Sequence, residues 1–135
     1  MIYLIIAIPT IVFTIWDLFC GSIQIRCNDR DFNIEAKGWN DYTGEYSQID
    51  SISYEANVLQ NDNDHRTNGF GNLKYAMGNF NNDIFGDYIR YTHASCHSYV
   101  VMNIDGKILV VNGENDAETK EIYQRISENV SKERK

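Results

Sequence analysis

The sequence predicts a mainly β domain: about seven antiparallel strands in a small barrel or two packed sheets, capped by a C-terminal α-helix and preceded by a transmembrane helix. Three observations lead to this prediction. Asp105 and Gly106 stand between two runs rich in Val and Ile, which indicates a tight hairpin because both central residues of a type I′ turn need a positive φ. An amphipathic pattern follows from residue 115. Residues 1–16 contain no charged side chain.

Residues 1–21 are predicted to form a single membrane anchor. A spanning helix needs about 20 mostly apolar residues, and the segment reaches this length when Asp17 sits at the headgroup level. Tyr3 and Trp16 lie near its two ends, where aromatic side chains concentrate at membrane interfaces. A cleaved signal peptide would need a basic start and small residues before the cut, and both are missing. A buried strand or helix of the domain core is the other alternative, which Pro9 makes awkward.

Charged residues on either side of the predicted span indicate its orientation. No basic residue precedes it, whereas Arg26, Arg30 and Lys37 follow it. Loops rich in Lys and Arg remain on the cytoplasmic side of a membrane. The sequence therefore predicts a single-pass protein of the cell membrane with its domain in the cytoplasm.

Net charge and cysteine spacing limit the partners and the compartment. The formal charge is −7, and most of the acidic side chains lie in residues 22–130. This part of the chain would repel phosphate backbones, so nucleic acid is not an expected partner. Cys20, Cys27 and Cys96 have no C-x-x-C spacing, which favours free thiols in a reducing compartment over a pair between the first two.

The first predicted strands follow directly after the anchor. Residues 22–27 alternate between apolar and polar side chains, and residues 32–36 alternate again after a polar turn at residues 28–31. These two segments are predicted to form a hairpin. Residues 45–48 are predicted as a short third strand and residues 51–56 as a fourth.

The middle of the chain is less regular. Residues 57–72 are predicted to be a solvated loop; their N-D-N-D run resembles the start of a calcium loop, but Arg66 stands where the next oxygen ligand is needed. Strands resume at residues 73–80 and 87–93. Gly78 within the former indicates a bulge or a sharp bend.

The last hairpin and the helix are the strongest local signals. Residues 98–104 and 107–113 are predicted to be antiparallel partners around the Asp-Gly turn. The helix is predicted to begin after Asn115, because Glu118 three residues later completes a capping box. Its apolar face would contain Ile122, Tyr123, Ile126 and Val130.

His93, Cys96 and His97 form the one metal-like cluster in the sequence. A closed zinc site needs four ligands, and the remaining candidates, His65 and Cys27, have no useful spacing. A tight turn is therefore favoured over a metal site, and a metal-dependent enzyme is the weakest hypothesis. The sequence contains no nucleophile motif, phosphate-binding glycine loop or dinucleotide fingerprint. Neither an enzymatic activity nor a cofactor is expected.

Several short motifs, in a fixed order, resemble the bacterial pleckstrin-homology-like (PH-like) domains. The motifs are R-T-N-G-F-G at residues 66–71, Gly78 with Phe80, Asp105-Gly106-Lys107 with Asn112, and Glu118-Thr119 with Tyr123. The resemblance covers residues 22–130 and leaves residues 131–135 as a basic tail. It implies a seven-stranded PH-like domain directly behind a membrane anchor, with Phe70 as a plug against the barrel.

Membership of that family implies no fixed activity, because a fold does not determine a function. Domains of this superfold that bind phosphoinositides use several basic residues around the first turn, whereas residues 28–31 here contain one cation between two acids. The leading hypothesis is a non-catalytic, membrane-anchored domain that presents a docking surface for an unknown protein or peptide, along an exposed edge or beside the helix. Arg66, Asn68 and Phe70 are the predicted binding residues; a purely structural turn is the alternative for them. A lipid or small-ligand binding module at the bilayer surface is the alternative function.

Overall fold

The computed structural model describes residues 22–59, 65–71 and 73–134. This part of the chain contains nine β-strands, one α-helix and a 3₁₀ turn at Tyr46–Gln48. The strands are β1 (Ser22–Cys27), β2 (Asp31–Lys37), β3 (Tyr42–Glu45), β4 (Ile49–Ala56), β5 (His65–Gly71), β6 (Tyr75–Asn82), β7 (Gly86–His93), β8 (Ser98–Ile104) and β9 (Lys107–Val111). The helix, α1, spans Asp116–Glu133.

The strands form two sheets. The small sheet has the order β1-β2-β3, and the large sheet has the order β4-β8-β9-β7-β6-β5. Neighbouring strands are antiparallel except β7 and β9, which run parallel with Tyr88 opposite Ile108. The β8–β9 hairpin therefore folds back so that its second strand, not its first, pairs with β7.

The main apolar core lies between the two sheets. Phe32 and Ile34 of β2 belong to one cluster with Met77 and Tyr91 of the large sheet, and none of them is more than 2 % exposed. The helix contributes Ile126 to the same cluster and contacts β4, β8 and the 3₁₀ turn. Burial of one such side chain contributes about 1.5–3 kcal/mol, so this core fixes the two sheets and the helix relative to one another.

The large sheet is apolar on its second face as well. In β8, Val100 and Met102 belong to the main core, whereas Tyr99 and Val101 belong to a separate cluster. Successive side chains of a strand point to opposite faces, so the two clusters lie on opposite sides of the sheet. This explains why residues 98–104 are almost continuously apolar instead of alternating.

The predicted last hairpin is confirmed. Asp105 and Gly106 have φ values of 52° and 83°, as both central residues of a type I′ turn require. β8 and β9 pair in the register that places Ile104 opposite Lys107. The two-residue loop thus sets the register of the two strands locally.

The predicted helix is confirmed and is longer than expected. Asn115 is its N-cap, and the side-chain oxygen of this residue accepts a hydrogen bond from the backbone N–H of Glu118 at 2.9 Å. The helix continues to Glu133, into the segment predicted as a basic tail. Just beyond it, the Arg134 guanidinium donates to the backbone oxygen of Ile49 at 2.6 Å, so the end of the helix is tied to β4.

Several strand predictions are wrong. Neither described sheet closes into a barrel, so the two packed sheets are the arrangement found, with nine strands in place of about seven. The predicted loop at residues 57–72 contains β5, which pairs with β6 in a register that shifts between Arg66 and Asn68. The residues of β5 do not alternate, and the strand forms because β6 offers it a ladder of backbone partners.

The predicted third strand at residues 45–48 is also wrong. The strand lies earlier, at Tyr42–Glu45, and the 3₁₀ turn follows it. The reason is the burial of Tyr46, which is 1 % exposed and whose backbone N–H donates to the oxygen of Arg30 at 3.1 Å. The chain turns inward at this residue and leaves the edge of the sheet.

Residues 1–21, where the membrane anchor is predicted, lie outside the described residues. Within the described part of the chain, no helix combines the length and the apolar character needed to cross a membrane. Ser22 is the first residue of β1, so the predicted anchor would lead directly into the small sheet.

Candidate functional site

A cavity of about 450 Å³ separates β1 from α1, and we call it the β1–α1 groove. The strand wall contains Ser22, Ile23, Gln24, Ile25 and Cys27. The opposite wall contains Glu114, Glu118, Glu121, Ile122 and Arg125. The floor contains Tyr75, His93, Asn112 and Gly113. Ligand pockets in proteins have volumes of about 300–1,000 Å³, so the groove can hold a short segment of chain.

Alternate residues of β1 direct their backbone polar groups away from β2. The backbone N–H of Asn28 donates to the oxygen of Asp31 at 2.8 Å, so these two residues form a hydrogen-bonded pair at the end of the hairpin. Hydrogen-bonded and non-hydrogen-bonded pairs alternate along an antiparallel ladder. The register places Cys27, Ile25 and Ile23 in non-hydrogen-bonded pairs. Their N–H and C=O groups therefore point to the open edge of β1.

The open edge of β1 faces the groove. β1 pairs with β2 alone among the described strands. The other edge strands of the described part are β3, β4 and β5, and none of their residues lines the groove. An exposed row of backbone N–H and C=O groups is a template for an additional strand, and proteins usually shield it. Here the space next to the row is a cavity.

The α1 wall of the groove is acidic. Arg125 Nη2 lies 2.7 Å from Glu121 Oε1, an ion pair between residues one helical turn apart. Glu118 Oε2 accepts a hydrogen bond from the backbone N–H of Glu114 at 2.8 Å, which holds this carboxylate at the start of the helix. Three carboxylates therefore stand beside one guanidinium along the wall.

His93 and Asn112 form the floor, and both are buried. His93 Nδ1 lies 3.2 Å from the backbone oxygen and 3.2 Å from the side-chain oxygen of Asn112. A carbonyl oxygen can only accept, so in the neutral ring Nδ1 holds the proton and Nε2 is a hydrogen-bond acceptor. The ring packs on Tyr75 with a centroid distance of 5.2 Å. His93 lines the groove, and Nε2 is its ring nitrogen without a hydrogen-bond partner among the described residues.

Cys27 lies half-buried at the end of the strand wall. Burial raises the pKa of its thiol, and the hydrogen bond with Tyr46 and the charge of Arg125 oppose this rise without cancelling it. A thiol with a raised pKa stays protonated at neutral pH and is a poor nucleophile. The Cys27 side chain therefore contributes packing to the wall and not reactivity.

The predicted binding residues lie elsewhere. Arg66, Asn68 and Phe70 are on β5, at the edge of the large sheet, and none of them lines the β1–α1 groove. Arg66 and Asn68 are exposed, and the backbone of Phe70 pairs with that of Met77. The structure thus places the three residues on one strand, and their role in binding stays a prediction.

The predicted metal-like cluster is divided between different environments. His93 is bonded to Asn112, and His97 is exposed. Cys96 Sγ lies 3.2 Å from Ser98 Oγ and 3.4 Å from Thr119 Oγ1, within a buried polar cluster at the start of the helix. No group of three or more His, Cys, Asp or Glu side chains in the described part of the chain is arranged to hold a metal ion.

A second cavity of about 550 Å³ lies at the ends of β6, β7 and β9. It is lined by Thr67, Asn79, Phe80, Asp87, Tyr88, Ile89, Lys107 and Ile108. Seven of these eight residues belong to β6, β7 and β9, which each have a paired strand on both sides and offer no open edge. The eighth, Thr67, is on the edge strand β5, and its hydroxyl donates to the backbone oxygen of Asn79 at 3.1 Å. The β1–α1 groove is therefore the better candidate for a docking site.

The sequence predicted docking along an exposed edge or beside the helix, but its patterns did not identify the residues that line the groove. Asn112 ends an apolar run, and a buried amide at such a position is a signal for a structural hydrogen bond. Glu114, Glu118 and Glu121 have the pattern of an ordinary solvated helix face. Only the position of β1 beside α1 gives these carboxylates a shared cavity.

Comparison with known proteins gives no relative. No family model, no curated protein and no solved structure matches this chain. The resemblance to bacterial PH-like domains therefore stays a prediction from the motifs. A function must therefore be inferred from the geometry of the groove.

Proposed function

We propose that this chain is a non-catalytic docking module that binds an extended segment of a protein or peptide in the β1–α1 groove. The observation behind this proposal is the open edge of β1, where Ile23, Ile25 and Cys27 direct backbone N–H and C=O groups away from β2. A peptide that adds a strand to an exposed sheet edge satisfies such groups directly. Side chains of the peptide would then contact the α1 wall.

The energetics of strand addition indicate a modest affinity. Three donors and three acceptors on β1 could form hydrogen bonds that each contribute about 0.5–1.5 kcal/mol net. Fixing the backbone of each peptide residue costs about 1–2 kcal/mol, so for a segment of five or six residues this cost equals or exceeds the gain from the hydrogen bonds. The side chains of the peptide must therefore supply the affinity and the specificity.

The polar groups of the groove support a binding role over catalysis. The side chain of Asn112 bonds to the backbone of His93 and also to that of Cys96, at 3.0 Å, so it holds the end of β7 and the turn that follows against the end of β9. Glu121 pairs with Arg125, and the Cys27 thiol has a raised pKa. These groups position the walls of the groove.

The predicted anchor would hold the groove at the membrane. In this proposal residues 1–21 span the cell membrane and the domain lies on the cytoplasmic side. Ser22 both begins β1 and lines the groove, so no linker would separate the anchor from the docking site. The partner would accordingly be another membrane protein or a peptide segment close to the bilayer.

We also propose a distant relation to the PH-like domains. A last hairpin closed by a C-terminal helix and two packed sheets support this relation. The parallel pair β7–β9 and the division into three and six strands depart from the antiparallel seven-stranded layout.

Site-specific photo-crosslinking in cells tests the docking proposal. A photoreactive amino acid replaces Gln24, an exposed residue of the groove wall, or Glu45, an exposed control residue on β3. We expect a discrete adduct from position 24 and none from position 45. Mass spectrometry of the adduct identifies the partner segment.

Two substitutions at Ile25 show whether the adduct depends on the open edge. Ile25→Pro removes the edge N–H, whereas Ile25→Ala removes the same side chain and keeps the N–H. The adduct should disappear with proline and persist with alanine. Equal adducts from positions 24 and 45, or an adduct that survives Ile25→Pro, would contradict docking at this edge.

A further inference from the structure

On the floor and the α1 wall of the β1–α1 groove, the free polar side-chain groups are mainly hydrogen-bond acceptors. Among the described residues, none hydrogen-bonds to His93 Nε2 or to Glu118 Oε1. The Glu114 carboxylate adds a third acceptor, because only its backbone N–H takes part in the bond to Glu118. A ligand that complements this set must bring donors and positive charge.

The charge balance of the groove agrees with its acceptors. The single guanidinium of the wall, that of Arg125, already pairs with Glu121 at 2.7 Å. The side chains of Glu114 and Glu118 are exposed and have no cationic partner among the described residues. The whole chain has a net charge of −7, which adds a long-range attraction for cations.

The side chains of the two walls repeat at similar distances. β1 lines the groove from Ser22 to Cys27, and α1 lines it from Glu118 to Arg125, so the strand and the helix both border it along several residues. Side chains on one face of a strand recur every ~6.6 Å, and one helical turn rises ~5.4 Å. Alternate side chains of a strand added to β1 would thus be spaced similarly to successive turns of α1.

Building on the proposed docking function, we infer that the β1–α1 groove selects an extended peptide segment with lysine or arginine at alternate positions. The backbone of the segment pairs with Ile23, Ile25 and Cys27. Its cationic side chains bind the carboxylates of Glu114 and Glu118, and a donor reaches His93 Nε2. The open edge of β1 selects a peptide in an extended conformation, and the acidic wall selects one with positive charge.

The expected selectivity follows from the strength of such contacts. An ion pair at an exposed surface changes affinity by up to about fivefold, and burial beneath a bound strand strengthens it. Two cationic side chains should thus favour a lysine peptide over a neutral one by about tenfold at low salt. The preference should shrink at high salt because the pairs remain near the surface.

The test uses the full chain in nanodiscs of phosphatidylcholine, which has no net charge to attract a cationic peptide. The probes are three acetylated heptapeptides in which valine alternates with lysine, with glutamine or with glutamate. Fluorescence anisotropy measures the three dissociation constants. We expect the order lysine, glutamine, glutamate from tightest to weakest, with at least about tenfold between the first and the last.

Protein variants show which side chains cause the preference for the lysine peptide. Glu118→Gln keeps an acceptor for the Glu114 N–H. It should raise the dissociation constant of the lysine peptide about two- to fivefold and leave that of the glutamine peptide unchanged. Glu128→Gln is the control, because this exposed residue of α1 does not line the groove. Ile25→Pro, but not Ile25→Ala, should raise the dissociation constants of both peptides.

The outcomes separate this inference from the docking proposal. Equal binding of the three peptides, all sensitive to Ile25→Pro, overturns the charge preference and keeps the docking function. A lysine preference that is equal in Glu118→Gln and Glu128→Gln is a nonspecific attraction to an acidic protein and also overturns the inference. No binding of any peptide overturns the charge preference, and the crosslinking at positions 24 and 45 then decides the docking proposal.

Discussion

The side-chain amide of Asn112 bonds the backbone of His93 on both sides: its oxygen accepts the His93 N–H at 2.7 Å, and its nitrogen donates to the His93 oxygen at 3.3 Å. The parallel ladder of β7 and β9 ends with Tyr91 opposite Val111. The amide therefore takes the place of a backbone partner one step beyond the ladder. It fixes the end of β7, where His93 forms the floor of the groove.

Asn112→Ala should destabilise the fold strongly. The change leaves a buried N–H and a buried C=O of His93 without their partner, and each such loss costs about 1–3 kcal/mol. We expect the free energy of unfolding to fall by about 2–4 kcal/mol, measured by urea unfolding of the full chain in detergent micelles. Asn79→Ala, at an exposed position of β6, is the control and should change it by less than about 0.5 kcal/mol. Equal effects would contradict the role of the amide.

Proline at neighbouring positions of β1 should destabilise the fold to very different extents. The Gln24 N–H faces β2 and the Ile25 N–H faces the open edge, according to the register and the alternation of pairs. Gln24→Pro removes a ladder bond and should cost about 3 kcal/mol or more. Ile25→Pro should lie within about 1 kcal/mol of Ile25→Ala, since edge strands tolerate proline. The reverse order of unfolding midpoints would show that β1 presents its other residues to the groove.

Two glycines with positive φ should respond differently to alanine. A Cβ on Gly106 would have no described atom within 4 Å beyond its chain neighbours, so Gly106→Ala should cost about 1 kcal/mol from backbone strain alone. A Cβ on Gly78 would lie 2.6 Å from the backbone oxygen of Asn68 and 2.6 Å from the Cα of Gly69. Gly78→Ala should therefore disrupt the pairing of β5 with β6 as well. Hydrogen exchange of the β5 amides distinguishes the two variants, because only Gly78→Ala should increase it.

Alkaline pH should destabilise the fold through Tyr91. Burial raises the pKa of this phenol to about 12, and its hydroxyl donates to the oxygen of Asn40 at 2.5 Å. Between pH 10 and 12 the unfolded chain loses this proton and the folded chain keeps it, so the free energy of unfolding falls as the pH rises. The loss should reach about 2–3 kcal/mol at the top of this range. Burial also raises the pKa of Tyr46, which contributes to the same slope. Tyr91→Phe should therefore reduce the slope of this part of the pH profile, and an unchanged slope would exclude Tyr91 as a cause.

The hairpin and the helix could be predicted because their signals are local. Asp105 and Gly106 adopt a positive φ at low cost, and Asn115 caps the helix through a residue three positions later. The alternation of residues 22–27 likewise predicted β1 with its observed bounds. In each case a few neighbouring side chains determine the backbone.

β5 and the 3₁₀ turn could not be predicted, because their causes are distant in the chain. β5 depends on β6, and the turn depends on the burial of Tyr46 and its bond to Arg30. The motif residues Arg66, Asn68 and Phe70 lie on a glycine-rich strand that does not line the groove. Local patterns identify unusual residues but not the surfaces that they share.

The sequence by itself determined the type and the approximate bounds of β1, β8, β9 and α1, because the signals for these elements lie within one strand, one turn or one helical face. The tertiary structure decided the order of the strands. It alone placed the open edge of β1 opposite the carboxylates of Glu114 and Glu118, above the His93 floor. These residues are distant in sequence, and only the burial of the shared core between the two sheets and the helix brings them around one groove.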